Sequence, residues 1–148
     1  MLIDGHFNIA APQAQVWEKV RDPAIMSECI PGCESIEQLD DNSYRSVVAI
    51  KVGPIRARFN LVVEIIEEQA PDTVRSRSKG EEGTRASVVT SENLLRLSDD
   101  GSGGTDVSYS ADVTMTGRLG KYGLGIMRKK ADQLAQVFVE NFRARVVA

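Results

Sequence analysis

The sequence predicts an α+β fold: a seven-stranded antiparallel sheet wrapped around one long C-terminal helix, with two short helices after the first strand. Three observations carry this. Residues 34–116 alternate with a period of two, residues beyond 117 repeat near helical spacing, and two helix-start signals follow the first strand. Seven antiparallel strands with one apolar face need a cover, and only the final helix is long enough to supply it. At 148 residues the chain fits a single domain over 1–148 and can fold without staples.

In the first strand Ile3, Gly5, Phe7 and Ile9 share one face and Asp4, His6 and Asn8 the other, the pattern of a half-buried strand. Ala11-Pro12 opens a helix, since proline suits the first turn, and Val16, Trp17 and Val20 give it an apolar stripe. Asp22-Pro23 repeats the signal with Asp22 as N-cap. Ile30-Pro31-Gly32-Cys33 is a turn by composition. A strand over 34–39 ends at Asp40-Asp41-Asn42, after which Tyr44, Ser46, Val48, Ile50 and Val52 face one way. Beyond Gly53-Pro54, the residues Ile55, Ala57, Phe59, Leu61, Val63 and Ile65 take the same inner face. Past Pro71-Asp72, a strand over 73–79 points Arg75, Arg77 and Lys79 outward and Val74, Ser76 and Ser78 inward. Residues 80–83 read as a polar loop before a strand over 85–97. Asp99-Asp100-Gly101-Ser102-Gly103-Gly104 is a strong hairpin signal, and Val107, Tyr109, Ala111, Val113 and Met115 line the last strand's inner face. Gly117 ends the sheet. Leu119, Tyr122, Ile126, Leu134, Val137, Phe138 and Phe142 then recur near helical spacing, with Gly123 and Gly125 weakening the first turns.

Composition excludes several functions. A net charge of −3 argues against nucleic-acid binding, and 5% aromatic content is too little for base-stacking platforms. The polar Asp4, His6 and Asn8 interrupt any signal peptide, and no run approaches the roughly 18 apolar residues of a spanning helix. The expected compartment is the cytoplasm, with Cys29 and Cys33 as free thiols. Zinc or iron–sulfur sites need about four ligands, and His6 is the only histidine, so no metal or other cofactor is expected. No Gly-x-Ser-x-Gly elbow, Walker loop or dinucleotide fingerprint occurs, and no catalytic residue is assigned.

Ile9-Ala10-Ala11-Pro12, then Val16-Trp17 and Asp22-Pro23, on this order of elements, resemble the START/Bet v 1-like (SRPBCC) superfamily with its helix-grip fold. Within it, Cys29-Ile30-Pro31-Gly32-Cys33-Glu34, Val52-Gly53-Pro54-Ile55 and Gly117-Arg118-Leu119-Gly120 resemble the carbon monoxide dehydrogenase G-subunit (CoxG) family. Residues 80–87 depart from the family pattern, with more charge and less glycine. The resemblance implies a cavity between sheet and last helix that holds a quinone, lipid or similar apolar molecule. It also implies an accessory role beside a carbon monoxide dehydrogenase-type molybdenum hydroxylase, in assembly, membrane attachment or quinone handling.

The residues support a cavity independently. A fully packed core would use Leu, Ile and Phe throughout, whereas the inner faces mix apolar side chains with hydroxyls, which suits a pocket with a few polar anchors. The expected lining is Tyr44, Val48, Phe59, Leu61, Ser76, Ser78, Val89, Asn93, Tyr109 and Ala111, roofed by Ile126 and Leu134. The bland reading is a sheet rim where serines meet water. Tyr44, Asn93 and Tyr109 are candidate hydrogen-bond donors to a quinone or acyl oxygen, unless their tips simply reach solvent. Ile25, Met26, Ile30, Pro31 and Gly32 form the expected lid, methionine being suited to repacking around a guest. A plain connecting turn would need only the Pro and Gly.

Arg118, Lys121, Arg128, Lys129 and Lys130 form a basic cluster that fits either peripheral contact with anionic lipid or a solvated helix face. Arg56, Arg58, Arg75, Arg77 and Lys79 read as an outer ladder paired with Glu64 and Glu92. Two alternatives stand beside a non-catalytic binding protein. One is an enzyme of the polyketide cyclase or dehydratase kind, which needs an acid or base in the pocket; Asp4, His6 and Glu28 are the nearest candidates, and an inward His6 would favour it. The other is a protein-interaction module using the outer sheet face.

Overall fold

The structure, a computed structural model, describes residues 1–83 and 86–147, without the side chains of 122–124. Alternation in the sequence becomes alternation of burial: β1, Leu2–Ile9, buries Ile9 and half-buries Ile3, Gly5 and Phe7 while Asp4, His6 and Asn8 face water. Pro12 precedes α1, Gln13–Val20, and Asp22 caps α2, Pro23–Cys29, its Oδ1 accepting from the Ala24 amide at 2.9 Å and the Ile25 amide at 3.4 Å. This satisfies donors that a helix start would otherwise leave unpaired. The strands β2 (Cys33–Asp40), β3 (Ser43–Val52), β4 (Ile55–Gln69), β5 (Thr73–Glu82), β6 (Ser87–Asp99) and β7 (Thr105–Gly117) follow. All pair antiparallel in one sheet of order β1-β7-β6-β5-β4-β3-β2. A 3-10 turn at Gly120–Tyr122 leads into α3, Gly123–Val147. Among the described residues no helix is long and apolar enough to cross a membrane.

Two stretches differ from the sequence reading. Residues 80–82, expected as loop, continue β5: Gly80 pairs with Leu61 on one side and Val89 on the other. Glu82 keeps the inward phase of Val74, Ser76 and Ser78, and it is only 5% exposed. A carboxylate can be buried there because Arg118, just past β7, reaches it in a forked ion pair, Nε to Oε2 at 3.0 Å, while Nη2 also donates to the Arg56 carbonyl at 3.2 Å. Two further bonds tie the same junction down: Arg118 N to Ala86 O at 2.8 Å and Leu119 N to Ser87 Oγ at 3.1 Å. Arg118 is thus spent on the fold rather than left in the basic cluster. Arg118→Met should lower stability by about 1–3 kcal/mol, because Glu82 would stay buried without its cation. The urea midpoint reads this, and adding Glu82→Gln should restore most of the loss; an unchanged midpoint in the single variant would dismiss the latch.

The second difference is the phase of α3. Its inward stripe runs through half-buried Met127, Ala131, Leu134 and Phe138 to fully buried Phe142, whereas Ile126 is 51% and Val137 42% exposed. Each sits one residue before a stripe member, and one residue is a rotation of about 100°. Tyr122 and Arg85, expected in the helix stripe and at the start of β6, lie outside the described side chains and residues. On the outer sheet face Arg77 meets Glu92 as expected, but Arg58 and Arg75 meet Glu34 and Glu67, not Glu64.

Candidate functional site

The apolar core is divided. One cluster, at the helical end, joins Ile9, Val16, Cys29, Leu97, Val107 and Phe142. A second, at the β3–β4 hairpin end, gathers Val52, Ala57, Phe59 and Leu119, with Met127 of α3 packed against it. The backbone of α3 approaches α2, β1, α1 and the 3-10 turn, but none of the central strands β3–β6 as extensively. Side chains of α3 reach both clusters, Phe138, Phe142 and Val146 the first and Met127 the second, and open space remains over parts of the sheet floor.

Two adjoining hollows occupy that gap. The first, about 200 Å³, lies under α2, with Met26 and Ile30 above and Tyr44, Ser46, Val63, Ile65 and Ser76 below. The second, about 240 Å³, lies over Val48, Phe59, Leu61, Ser78, Val89 and Met115. Each alone is smaller than the roughly 300–1,000 Å³ typical of small-molecule sites, and the two approach each other along β5, where Ser76 lines the first and Ser78 the second. Between them runs a polar seam. Asn93 Nδ2 donates to Ser78 Oγ at 2.9 Å and Ser76 Oγ at 3.3 Å, and Ser91 Oγ bonds Ser78 Oγ at 3.1 Å. Cross-strand register makes this seam, setting Ser76 against Asn93 and Ser78 against Ser91.

Most of the expected lining thus comes together: Tyr44 and Ser76 in the first hollow, Val48, Phe59, Leu61, Ser78 and Val89 in the second, with Asn93 joining them. Four residues stand apart. Ile126 is exposed, Leu134 is half-buried without lining either hollow, and Ala111 flanks Asn93 across the β6–β7 ladder. Tyr109 is committed elsewhere: its ring lies over Gly5, its cross-strand partner, and tilts against Phe7 with centroids 6.4 Å apart. A Cβ at Gly5 would collide with the Tyr109 hydroxyl, so the pair fills its own space. Burial, and then Asp132 and Asp4, hold that phenol above its ordinary pKa.

The expected lid also divides. Met26 and Ile30 line the first hollow, whereas Ile25 packs into the helical-end cluster. Gly32 has φ +81°, its carbonyl accepts from the Ala49 amide at 2.9 Å, and a Cβ there would strike the Ala49 carbonyl oxygen. Gly32 is therefore required by the close passage of the turn against β3, and Pro31 beside it does not line the hollow.

No acid or base from β1 reaches the hollows, since Asp4 and His6 face outward. Glu28 is turned to Arg145, Oε2 to Nε at 2.8 Å. Burial pushes the Cys29 thiol up, with Arg145 opposing and Glu28 adding to it, so it stays neutral. Among the described residues no three His, Cys, Asp or Glu side chains gather as a metal site. The charged group that does line a hollow is one the sequence reading passed over, Arg21 at the end of α1. Its neighbour in sequence is the helix-capping Asp22, which gave Arg21 the look of an ordinary helix-end cation.

A family model described as the G-subunit of carbon monoxide dehydrogenase (CoxG) matches residues 5–147. No curated protein matches the sequence. Among solved structures, a conserved protein from Geobacillus kaustophilus superposes with a TM-score of 0.92 at 21% identity, over 99% of this chain and 95% of that one. A START superfamily protein from Mycobacterium smegmatis gives 0.76 at 13% identity, over 98% and 96%. Ara h 8.0201 gives 0.67 at 13% identity, over 99% and 97%. At these identities the likeness is one of fold: the helix-grip, START/Bet v 1-like arrangement expected from the order of elements.

Proposed function

The chain belongs to the carbon monoxide dehydrogenase G-subunit (CoxG) family, and from that membership we propose a non-catalytic accessory protein that carries a quinone or lipid-like molecule in the divided hollow for a carbon monoxide dehydrogenase-type molybdenum hydroxylase. The split core carries this reading. The helical-end cluster and the hairpin-end cluster, whose Phe59, Leu61, Val89 and Met115 also wall the second hollow, flank a floor that is apolar along its walls and hydroxylic at its middle. Such a floor binds apolar surface while offering a few hydrogen bonds for orientation. A general acid–base role would need a titratable group at the reacting atoms, and the outward turn of His6 and Asp4 speaks against one from β1. Lys121, Arg128 and Lys129 are exposed and make no ion pair among the described residues; on this reading they meet anionic lipid when the guest is collected.

The test is organic extraction of the purified protein followed by mass spectrometry. A quinone or acyl lipid should be recovered in reproducible proportion, and emptied protein should take it up saturably. Protein that is always empty and refuses both classes would end this reading. The hydroxylase role is read separately, from reduction of an added quinone by the enzyme with and without this chain.

A further inference from the structure

The first hollow has one polar pole, made by three residues from separate elements. Arg21, closing α1, donates from Nη1 to the Tyr44 hydroxyl at 3.1 Å and from Nε to Glu68 Oε1 at 3.1 Å. Arg21 and Tyr44 both line the hollow, whose remaining walls are apolar save for Ser46 and Ser76. Glu68 is present through a β-bulge. β4 pairs Ile65 with Ser76 but Glu67 with Arg75, so Ile66 is one residue extra. Strict alternation from Ile65 would aim Glu67 inward; the bulge sends Glu67 out to Arg75 and brings Glu68, opposite Val74, onto the inner face. Re-aiming a side chain next to a site is a recurrent use of bulges.

We infer that the Arg21–Tyr44–Glu68 triad is a specificity element that selects a neutral carbonyl-bearing guest and orients its oxygenated head toward α1 and α2. This rests on the reading of the hollow as an apolar-ligand site. Two features of the triad argue for it. The Tyr44 oxygen already accepts from Arg21, so its own proton is the group left to offer, and no acceptor for it stands among the described residues. A hydroxyl used in this way is a donor, polarised by the cation behind it, and it suits an acceptor such as a quinone or ester oxygen. The charge of Arg21 is meanwhile balanced by Glu68, the two side chains being 22% and 31% exposed. The pole therefore supplies a hydrogen bond without net charge, and a fatty-acid carboxylate entering it would have to compete with Glu68 for the Arg21 guanidinium that lines the hollow. The tail of an oriented guest would pass the seam at Ser76 and Ser78 toward the second hollow.

Calorimetry with three probes tests this: a quinone bearing one isoprene unit, its hydrocarbon analogue without oxygens, and laurate. Wild type should bind the quinone about tenfold tighter than the analogue, the worth of one polarised hydrogen bond. Tyr44→Phe should remove that preference and leave the analogue's affinity unchanged. Glu68→Gln should raise laurate affinity about tenfold by unmasking Arg21. If wild type binds the analogue but Tyr44→Phe does not touch the quinone, or Glu68→Gln does not touch laurate, the triad has no selective role. If wild type binds none of the three, the hollow is not an apolar site and both readings fall together.

Discussion

Phe142→Ala is expected to lower the free energy of unfolding by about 3–5 kcal/mol, the loss typical of a fully buried aromatic truncated in a core that cannot collapse around it. Phe142 is 1% exposed and stacks on Phe138 with centroids 5.6 Å apart and planes at 12°. Its cluster unites the inner face of β1 through Ile9, of α1 through Val16 and of β6 and β7 through Leu97 and Val107. This is the larger of two places where the C-terminal helix is fastened to the rest of the molecule, the other being Met127 against the second cluster. The partners are themselves fixed by backbone ladders and helix packing, so little can move into the space left by the ring. Val137→Ala, on the same helix but 42% exposed, is the matched control and should stay within about 0.5 kcal/mol of wild type. Urea unfolding followed by circular dichroism reads both. A loss below about 1 kcal/mol for Phe142→Ala would mean that α3 is held by something other than this cluster.

The contrast between Phe142 and Val137 also shows which part of the fold is legible in the chain. Strand faces are, because a period of two leaves no ambiguity once one buried position is known: Tyr44, Phe59, Ser76 and Val107 all take the side that alternation assigns them. The hairpin at 99–104 and the cap at Asp22 are legible because they are decided by neighbours in sequence. What escapes is decided by residues far apart. Glu82 looks like loop chemistry until Arg118, 36 residues on, is brought beside it. Glu68 looks outward until a bulge at Ile66 changes the phase of β4. Tyr109 looks like a free anchor, yet the residue opposite it in β1 is a glycine that leaves room for the ring to lie flat. On α3 a heptad-like list of apolar residues cannot say which of two adjacent ones, Ile126 or Met127, meets the sheet; the 100° between them is settled by where Phe138 and Phe142 dock. The family model matches residues 5–147 as a whole, whereas the resemblance in the sequence rests on local turns such as Cys29 to Glu34, the pieces that a short motif can carry.

Ser46→Phe is expected to act on function and stability in opposite directions. Ser46 is 7% exposed, sits on the floor of the first hollow between Tyr44 and Val48 along β3, and faces Met26 and Ile30 of the roof. A phenyl ring there would occupy much of the roughly 200 Å³ that a guest needs, so binding of a quinone or lipid should fall at least tenfold, a change of about 1.4 kcal/mol or more. The same ring would gain apolar burial of about 1.5–3 kcal/mol, offset by whatever strain the walls impose. In a filled core, added bulk costs about 1–3 kcal/mol. The sign of the stability change therefore decides between a hollow and a closed floor: a variant as stable as wild type or more so, yet unable to take up ligand, requires empty space at Ser46, while a destabilised one denies it.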